Sequence, residues 1–478
     1  MALELPRFAA FQSNMNQTYL RCNIQEAQKD GGFLEFSGEE IVSPYSKFEI
    51  ERAKTTPAEN ENGFVHIRCC YNNKYWVANS SSNNSFIIAG ADKPNEDRSQ
   101  WSCTLFEPIG KMGTTDEGFV LFRHVHLRSY LTYPETSSPP GRACIYADST
   151  YAPDDRLDNV FFFRDLESIL ILPKHIALKG DNGLYLSARW IEEHQYLEFT
   201  SVDNEDPRVA NEVFITKDGK IRIKNNHFGK FWRCSPNWIW ADSDDTTTNN
   251  LDTLFCPVKV GNNLVALRNL GNYNFCERLT TEGKTDCLNA GVDTPCKEAH
   301  LMIEELVISR EIYSVYFHRL AERVCNKNLI KMVTKSVPNY AQVPGTAKLK
   351  FTYKETKSTT WNTSVSMKGG VKTTITAGVP SIVDGKIEIS AELTAGLQWG
   401  KTETTESQVE TEDTFPVPPM RKVKVSLLVR QGTCNVPFSY TQRDTLMNGK
   451  TDTLHFDDGI YTGVNSIDFE YDITTENL

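Results

Sequence analysis

The chain has 478 residues, with 51 Lys and Arg against 62 Asp and Glu, a formal net charge of −11 at pH 7 and 39% hydrophobic residues. That length holds roughly three domains of ordinary size, and the acidic balance argues against binding nucleic acid phosphates or sulfated polysaccharide through charge. No run of about 18 apolar residues occurs, and Met1 to Thr18 lacks a basic start followed by an apolar stretch. Neither a transmembrane helix nor a secretory signal is expected, and synthesis in the cytoplasm or nucleocytoplasm is the expectation.

The first 300 residues repeat. Gly63-Phe64-Val65-His66-Ile67-Arg68 followed by Tyr71-Asn72-Asn73-Lys74-Tyr75-Trp76 answers Gly219-Lys220-Ile221-Arg222-Ile223-Lys224 followed by His227-Phe228-Gly229-Lys230-Phe231-Trp232. Leu34-Glu35-Phe36 answers Leu197-Glu198-Phe199, and Asn16 to Leu20 answers Asn182 to Leu186. Within each copy, strand-like starts recur near Phe8, Phe64 and Phe119, then near His175, Ile221 and Leu264. Each reads as an alternating strand, a small polar turn and an aromatic-rich strand. Three such units per copy predict a three-fold β-barrel, a β-trefoil, over 1–163 and again over 174–308. The apolar stretch 164–173, ending at Pro173, reads as a short helical linker. Trp76 and Trp232 follow the pattern of core aromatics. The twelve cysteines lack paired zinc-type spacing and read as reduced core residues.

These residues resemble a family. The Lys-Tyr-Trp and Lys-Phe-Trp matches, Trp101-Ser102-Cys103-Thr104-Leu105-Phe106 closing a unit, and Phe163-Arg164-Asp165-Leu166-Glu167-Ser168-Ile169 between the copies are similar to the amaranthin-type plant agglutinins. The resemblance implies two tandem β-trefoils, head-to-tail dimers, and binding of the T-antigen disaccharide or N-acetylgalactosamine between one subunit's first trefoil and the partner's second. It places the ligand loop at Asn79 to Phe86, with Asn83, Asn84, Ser85 and Phe86 as contacts. The family prototype has Tyr-Trp where this chain has Ser85-Phe86, with one residue inserted upstream, which leaves the specificity open. In the second copy Asn237, Trp238 and Trp240 form an aromatic loop that supplies a second candidate surface, since sugars need a flat aromatic and a few placed polar groups.

From 309 to 478 the character changes. Ile312 to Phe317 opens an apolar strand, Ser and Thr become frequent from Trp361 to Thr414, and Pro416-Val417-Pro418-Pro419 precedes the strand Val423 to Val429. Between Ser364 and Gly400 two arms alternate. Val365, Met367, Val371, Ile375, Val379, Ile387, Ile389, Leu393 and Leu397 share one parity, whereas Lys368, Lys372, Glu388 and Glu392 share the other. Side chains on a strand alternate faces, so each arm has an oily and a polar face, with Lys372 expected near Glu392. Arms of about 14 to 16 residues exceed the usual strand, and at roughly 3.3 Å per residue each reaches on the order of 50 Å. A membrane strand needs about 9 to 11 residues, apolar outside and polar inside, in a closed barrel. One hairpin closes no barrel, so several chains would each contribute two strands. The first set is then the lipid face, the second the pore lumen, and Ile382 and Val383 the tip; the other reading of the same alternation is a long surface hairpin with its apolar face on a soluble core.

This layout resembles the aerolysin-like pore-forming module. The whole chain is therefore expected to be all-β: two trefoils followed by an elongated sheet domain carrying an insertion hairpin. The resemblances imply a lectin that targets glycosylated membranes, a homo-oligomer (dimer as lectin, ring as pore) with the lipid bilayer as its second partner, and a role in plant defence or stress. The alternative is a non-lytic agglutinin whose third domain serves oligomerisation or stability. No enzyme activity and no cofactor or metal are expected: His124 and His126 share a face without a third ligand, and Glu192-Glu193 and Asp154-Asp155 read as solvated loop charges.

Overall fold

The computed structural model describes residues 3–23, 32–55, 62–79, 85–112, 117–133, 144–149, 159–247, 249–319, 322–363, 371–383, 386–391, 393–397 and 400–478. The chain forms two compact units, one chiefly Met1–Ser309 with Asp444–Asp452, the other Arg310–Thr363, Lys372–Arg443 and Thr453–Leu478. Both are built almost wholly of antiparallel strands.

In the first unit each sequence copy makes one 12-stranded sheet. In the second copy a strand, a hairpin and a strand recur three times. The openers are His175–Lys179, Ile221–Asn225 and Leu264–Asn269, and the closers are Asn211–Ile215, Phe255–Gly261 and Leu301–Glu305. Opener and closer pair within each unit (Ile176↔Asn211, Ile221↔Phe255, Leu264↔Met302) and across units (Val213↔Ile223, Phe255↔Asn269, Leu178↔Ile303). That closes a barrel, which leaves no free edge in it. The three hairpins meet at one end, through Tyr196↔Trp240, Glu198↔Cys287 and Trp238↔Asn289. This is β-trefoil topology. The first copy repeats it, with Phe8↔Glu49, Val65↔Phe106 and Phe161↔Val120 inside the units and Ile50↔Ile67, Ile109↔Leu121 and Phe11↔Phe163 between them.

Trp76 and Trp232 are fully buried, one in each barrel. Trp76 meets Phe11, Phe48, Phe106 and Phe122 at 5.4–6.1 Å between ring centres. The Trp232 indole N–H donates to Asn211 Oδ1 at 3.2 Å. No disulfide joins the described cysteines, and burial pushes the Cys144, Cys234 and Cys287 thiols up to about 12.

The connection 164–173 is not a helix. Arg164 and Asp165 finish the strand Phe161–Asp165 against Ala10 and Ala9. The Asp165 carboxylate then accepts from Glu167 N at 2.8 Å, and its carbonyl accepts from Ser168 Oγ at 2.7 Å, so a side-chain turn replaces the first helical turn. Leu170 and Leu172 then join the second core.

The second unit is an 8-stranded sheet plus a 2-stranded ribbon. Its longest strands, Arg421–Leu446 and Thr451–Asn477, run 26 and 27 residues, far beyond the usual 5–6. Strand Arg323–Asn339 pairs with the former, and strands Gly345–Asn362 and Thr402–Val417 form a hairpin. Two apolar clusters hold the unit. One gathers Phe351, Phe415, Val425, Leu427 and Val429, the other Ile312, Trp361, Val436, Phe438 and Tyr461.

Candidate functional site

In the second trefoil the predicted aromatic loop lies where the three hairpins meet. Trp238 is buried, and its indole N–H donates to Glu282 Oε2 at 3.1 Å. Trp240 stacks on His194 at 4.0 Å and 7°, with the Arg233 guanidinium 5.5 Å from its ring centre and held in turn by Asp242. His194 thus takes one face of the Trp240 ring, where a sugar ring would stack. Asn237 is exposed at the turn; its carbonyl accepts from Ala290 N at 2.7 Å and its Oδ1 from Asn272 at 3.3 Å. The structure thus brings the three residues together, with Asn237 on the surface and the two tryptophans engaged in packing.

An exposed aromatic stands nearby that sequence reasoning missed. Trp190, 65% exposed, sits at the tip of the first hairpin of this trefoil, with the Phe228 ring 5.7 Å away and His227 beside Phe228 at 5.3 Å. The turn that follows holds Glu192 and Glu193 at φ 49° and 66°, a left-handed pair for which Asn and Gly are preferred. The signal available was Trp190 itself: along Tyr185–Ile191 the four leading residues are buried and Trp190 falls past them. In the first trefoil Trp101 is similarly open, 5.8 Å from His126.

Of the predicted ligand loop, Asn83 and Asn84 lie outside the described residues. Ser85 and Phe86 anchor its end. Phe86 O accepts from Asn79 N and Ser85 O from Ala147 N, both at 2.8 Å. The Phe86 ring is 8% exposed, edge-on to Phe33 at 5.9 Å and near Tyr146 at 6.1 Å. It packs where an exposed stacking face was expected.

His124 is buried and satisfied. Its Nε2 bonds the Cys103 carbonyl at 3.1 Å, and its Nδ1 accepts from Leu127 N at 3.2 Å. Burial lowers its pKa to about 4. His126 bonds the Arg98 carbonyl at 2.9 Å.

The amphipathic segment of the second unit forms a hairpin in two ladders. Lys372–Ala377 pairs with Leu393–Leu397, placing Thr373, Ile375 and Ala377 opposite Leu397, Ala395 and Leu393. Odd residues face odd, as the alternation requires. Pro380–Val383 pairs with Lys386–Ile389 one residue out of phase, with Ile382 opposite Ile387. The break falls at Gly378, where an added Cβ would meet Ser390 O at 2.5 Å; Ser390 Oγ accepts from Val379 N at 3.0 Å across it. Leu393 faces Ala377, at the opposite end of the ladder from Lys372, and Glu392 lies outside the described residues, as do Val365, Met367 and Lys368.

The oily face is covered. Ile375, Ala377, Ile382 and Ile387 are buried at 2–3% exposure among Ile312, Phe317, Trp361, Phe438 and Tyr461, with Val379 and Ile389 packed at the margin. Val371 is half-buried, whereas Lys372, Glu388 and Val383 are exposed. Ile382 is thus a core residue of the folded unit, and only Val383 of the expected tip is open. Two side chains hold the hairpin by its main chain: the Arg319 guanidinium donates to Ile387 O at 2.8 Å, and the Asn465 amide bonds both polar groups of Ile382.

No curated protein matches the chain. Among solved structures it is similar to a lamprey immune protein, with 13% identity, a TM-score of 0.32 and coverage of 65% of this chain and 93% of that one. It is also similar to the parasporin-2 toxin of Bacillus thuringiensis (16%, 0.22, covering 35% and 74%) and to an aerolysin-like protein of Bombina maxima (16%, 0.22, covering 35% and 99%). Likeness at this level transfers no activity. The agglutinin domain matches residues 3–156 and again 170–304, together more than half of the chain and each containing one of the two 12-stranded sheets' tryptophan cores. The chain belongs to the agglutinin-domain family.

Proposed function

We propose that the chain is a carbohydrate-binding protein of the T-antigen or N-acetylgalactosamine class that gathers on glycosylated membranes, assembles with copies of itself and inserts the segment 364–400 as a β-hairpin. The trefoils supply recognition, and several weak sites on one surface act together through effective concentration. The hairpin supplies the crossing element. Its apolar positions satisfy the outside of a barrel and its Lys and Glu positions the lumen, and only a closed barrel satisfies every backbone group in lipid.

The observation that carries this reading is the covered oily face. A hairpin with Ile375, Ala377, Ile382 and Ile387 buried on one face and Lys372 and Glu388 exposed on the other is suited to a water-soluble form. Once released, it has the pattern that a bilayer accepts. It also ends the sheet: among the described residues Leu393–Leu397 pairs only with Lys372–Ala377, which pairs beyond it with Val307–Phe317. An end hairpin can leave while the strands behind it stay paired.

Dye release from liposomes carrying an N-acetylgalactosamine or T-antigen glycolipid tests the proposal, with sugar-free liposomes as control. Release that depends on the glycolipid is expected. Binding without release would support the alternative of a non-lytic agglutinin, and absence of binding would overturn the sugar class.

A further inference from the structure

The hairpin and the strands that carry it are paired in three registers that do not join. In the outer one, Gly345–Asn362 and Thr402–Val417 pair without a break from Gly345↔Val417 to Thr360↔Thr402. The inner one runs from Thr373↔Leu397 to Ala377↔Leu393. Between Thr360 and Thr373 the first arm has twelve residues, 361–372, whereas the second has only four, 398–401. The end ribbon, Pro380↔Ile389 to Val383↔Lys386, is offset again by an odd step. Where the outer ladder stops, Gly400 stands at φ 70° and donates its N–H to Trp361 O at 2.7 Å.

These registers suit the folded unit and conflict with a barrel in three ways. Every main-chain group in lipid has to be paired, and eight residues of the first arm have no counterpart on the second. Lipid and lumen faces alternate, so odd residues have to pair with odd, yet the ribbon sets Pro380 and Ile382 opposite Ile389 and Ile387. Among the described even-numbered residues from Lys372 to Gly396, Pro380 and Ile382 alone are neither polar nor glycine. In a continuous strand they would face the lumen, and proline lacks the N–H that a ladder needs. Carrying the outer register inward removes all three conflicts. It pairs 361–378 with 384–401, arms of equal length. Ile375 then faces Ile387 on the apolar side, while Lys372 faces Ser390, Thr374 faces Glu388 and Thr376 faces Lys386 on the polar side. Pro380 and Ile382 fall in the loop 379–383. The faces also continue into the outer hairpin. Odd Phe351, Tyr353, Phe415 and Val417 are buried, and even Lys348, Lys350 and Lys354 are ion-paired with even Glu412, Glu410 and Glu406.

We propose that insertion slides the two arms of the hairpin past each other by eight residues, out of the inner register and into the outer one. Thr374 leaves Gly396 for Glu388, a displacement on the order of 26 Å at roughly 3.3 Å per residue. Gly400 is the hinge. Glycine takes the left-handed and the extended conformation alike, so the second arm can straighten into Thr402–Val417. The sequence holds a turn for each state. Asp-Gly, preferred in two-residue hairpin turns, separates the paired Val383 and Lys386 of the folded form; the uncharged run Val379 to Val383 serves the inserted one. The inference rests on the insertion step of the proposed function and names the pairing that this step reaches.

The test uses the full chain with an N-terminal hexahistidine tag, held on dye-loaded liposomes containing a nickel-chelating lipid so that surface density does not depend on sugar. Opposite residues of an antiparallel pair lie about 4.5–5.5 Å apart at Cα, within the span of a disulfide. Thr376 and Thr394 are opposite in the folded unit, so T376C/T394C should link in solution under a copper oxidant, and T374C/E388C should not. Wild type treated alike gives the background from its own cysteines. Oxidised T376C/T394C is expected to bind the liposomes and to lose dye release at least tenfold. Reduction should restore release, which also shows that the variant is folded. T374C/E388C, oxidised after release on the liposomes, should give its intramolecular link there, mapped by mass spectrometry. Release by oxidised T376C/T394C at the wild-type rate would overturn the proposal, because a hairpin that enters in its folded register tolerates that link. So would the absence of the T374C/E388C link on membranes. The two ideas fail differently: a wild type that is held on the liposomes without releasing dye removes insertion and this register with it, whereas wild-type release with an unhindered lock removes only the register.

Discussion

Asn465 closes a two-point clamp on the main chain of Ile382, its Nδ2 donating to the Ile382 carbonyl at 2.8 Å and its Oδ1 accepting from the Ile382 N–H at 3.2 Å. A side-chain amide offers one donor and one acceptor side by side, so it mimics a neighbouring strand for a single residue. Both residues are buried. The clamp therefore holds the ribbon Pro380–Val383/Lys386–Ile389 in the core without extending the 8-stranded sheet to it.

Replacing Asn465 by Ala should loosen the hairpin. It leaves two buried main-chain groups unpaired, at a cost of about 1–3 kcal/mol. Asn465→Asp should cost more, because a carboxylate oxygen then faces the Ile382 carbonyl. Hydrogen exchange over residues 380–389 is expected to rise in both variants. Sugar-dependent dye release should become faster, because release of the hairpin starts from a weaker hold. Exchange rates equal to wild type would show that the clamp contributes nothing.

Charge on the apolar face acts twice. Ile375→Lys puts an ammonium at a membrane midplane, at about 2–4 kcal/mol, but Ile375 is also 2% exposed in the soluble unit, where an unpaired charge is itself destabilising. Loss of release in that variant is interpretable only beside its melting curve. Glu388→Lys avoids the ambiguity, since Glu388 is exposed. It should leave the melting temperature unchanged and preserve release. Planar-bilayer reversal potentials are expected to shift toward anion selectivity; an unchanged potential would take Glu388 out of the lumen.

Much of this was legible in the sequence, for identifiable reasons. The trefoils repeat, so Trp76 and Trp232 identify each other as core, and the three strand starts per copy follow from the turn chemistry between them. The alternation from Lys372 to Ala377 is a local property and holds in the ladder. It fails one step later, where Gly378 permits a close approach to Ser390 that no local pattern encodes, and Ile382 turns inward with Ile387. The supposed linker helix failed for a similar reason: Asp165 has a side-chain alternative to a helical turn, and the barrel needs Arg164 and Asp165 as strand. The exposed faces of aromatics were the least legible. Whether Phe86 or Trp190 points outward depends on Phe33, Tyr146 and Phe228, which are distant in sequence.

Acid should weaken the first trefoil in a definite window. His124 has a folded pKa near 4 because burial disfavours its charged form, with His126 6.4 Å away adding to the effect. Its unfolded value is about 6.5. Between these values the unfolded chain binds the extra proton, so stability is full above pH 6.5 and falls as pH drops toward 4, by about 3 kcal/mol in all. Denaturant unfolding of the full chain, followed by Trp76 burial, should show that loss, and His124→Gln should flatten it. A flat profile in the wild type would place His124 in a less enclosed site.

Trp190 and Trp238 separate recognition from packing. Trp238 is buried with its N–H tied to Glu282, so Trp238→Ala should cost about 3–5 kcal/mol of stability and reveal little about sugar. Trp190 is 65% exposed, and its truncation should change stability by less than about 0.5 kcal/mol. If its face stacks on sugar C–H bonds, Trp190→Ala should weaken binding to an immobilised N-acetylgalactosamine glycoconjugate by about 1 kcal/mol, roughly fivefold. Trp190→Phe should keep most of it. The strained pair Glu192 and Glu193 beside it then has a use, as carboxylates fixed where a sugar's hydroxyls would donate. Replacing both by Asn-Gly should relax the turn, raise the melting temperature and lower affinity together, an opposition that a purely structural turn would not give. Equal binding by wild type and Trp190→Ala would move the platform to Trp101, the other open tryptophan among the described residues.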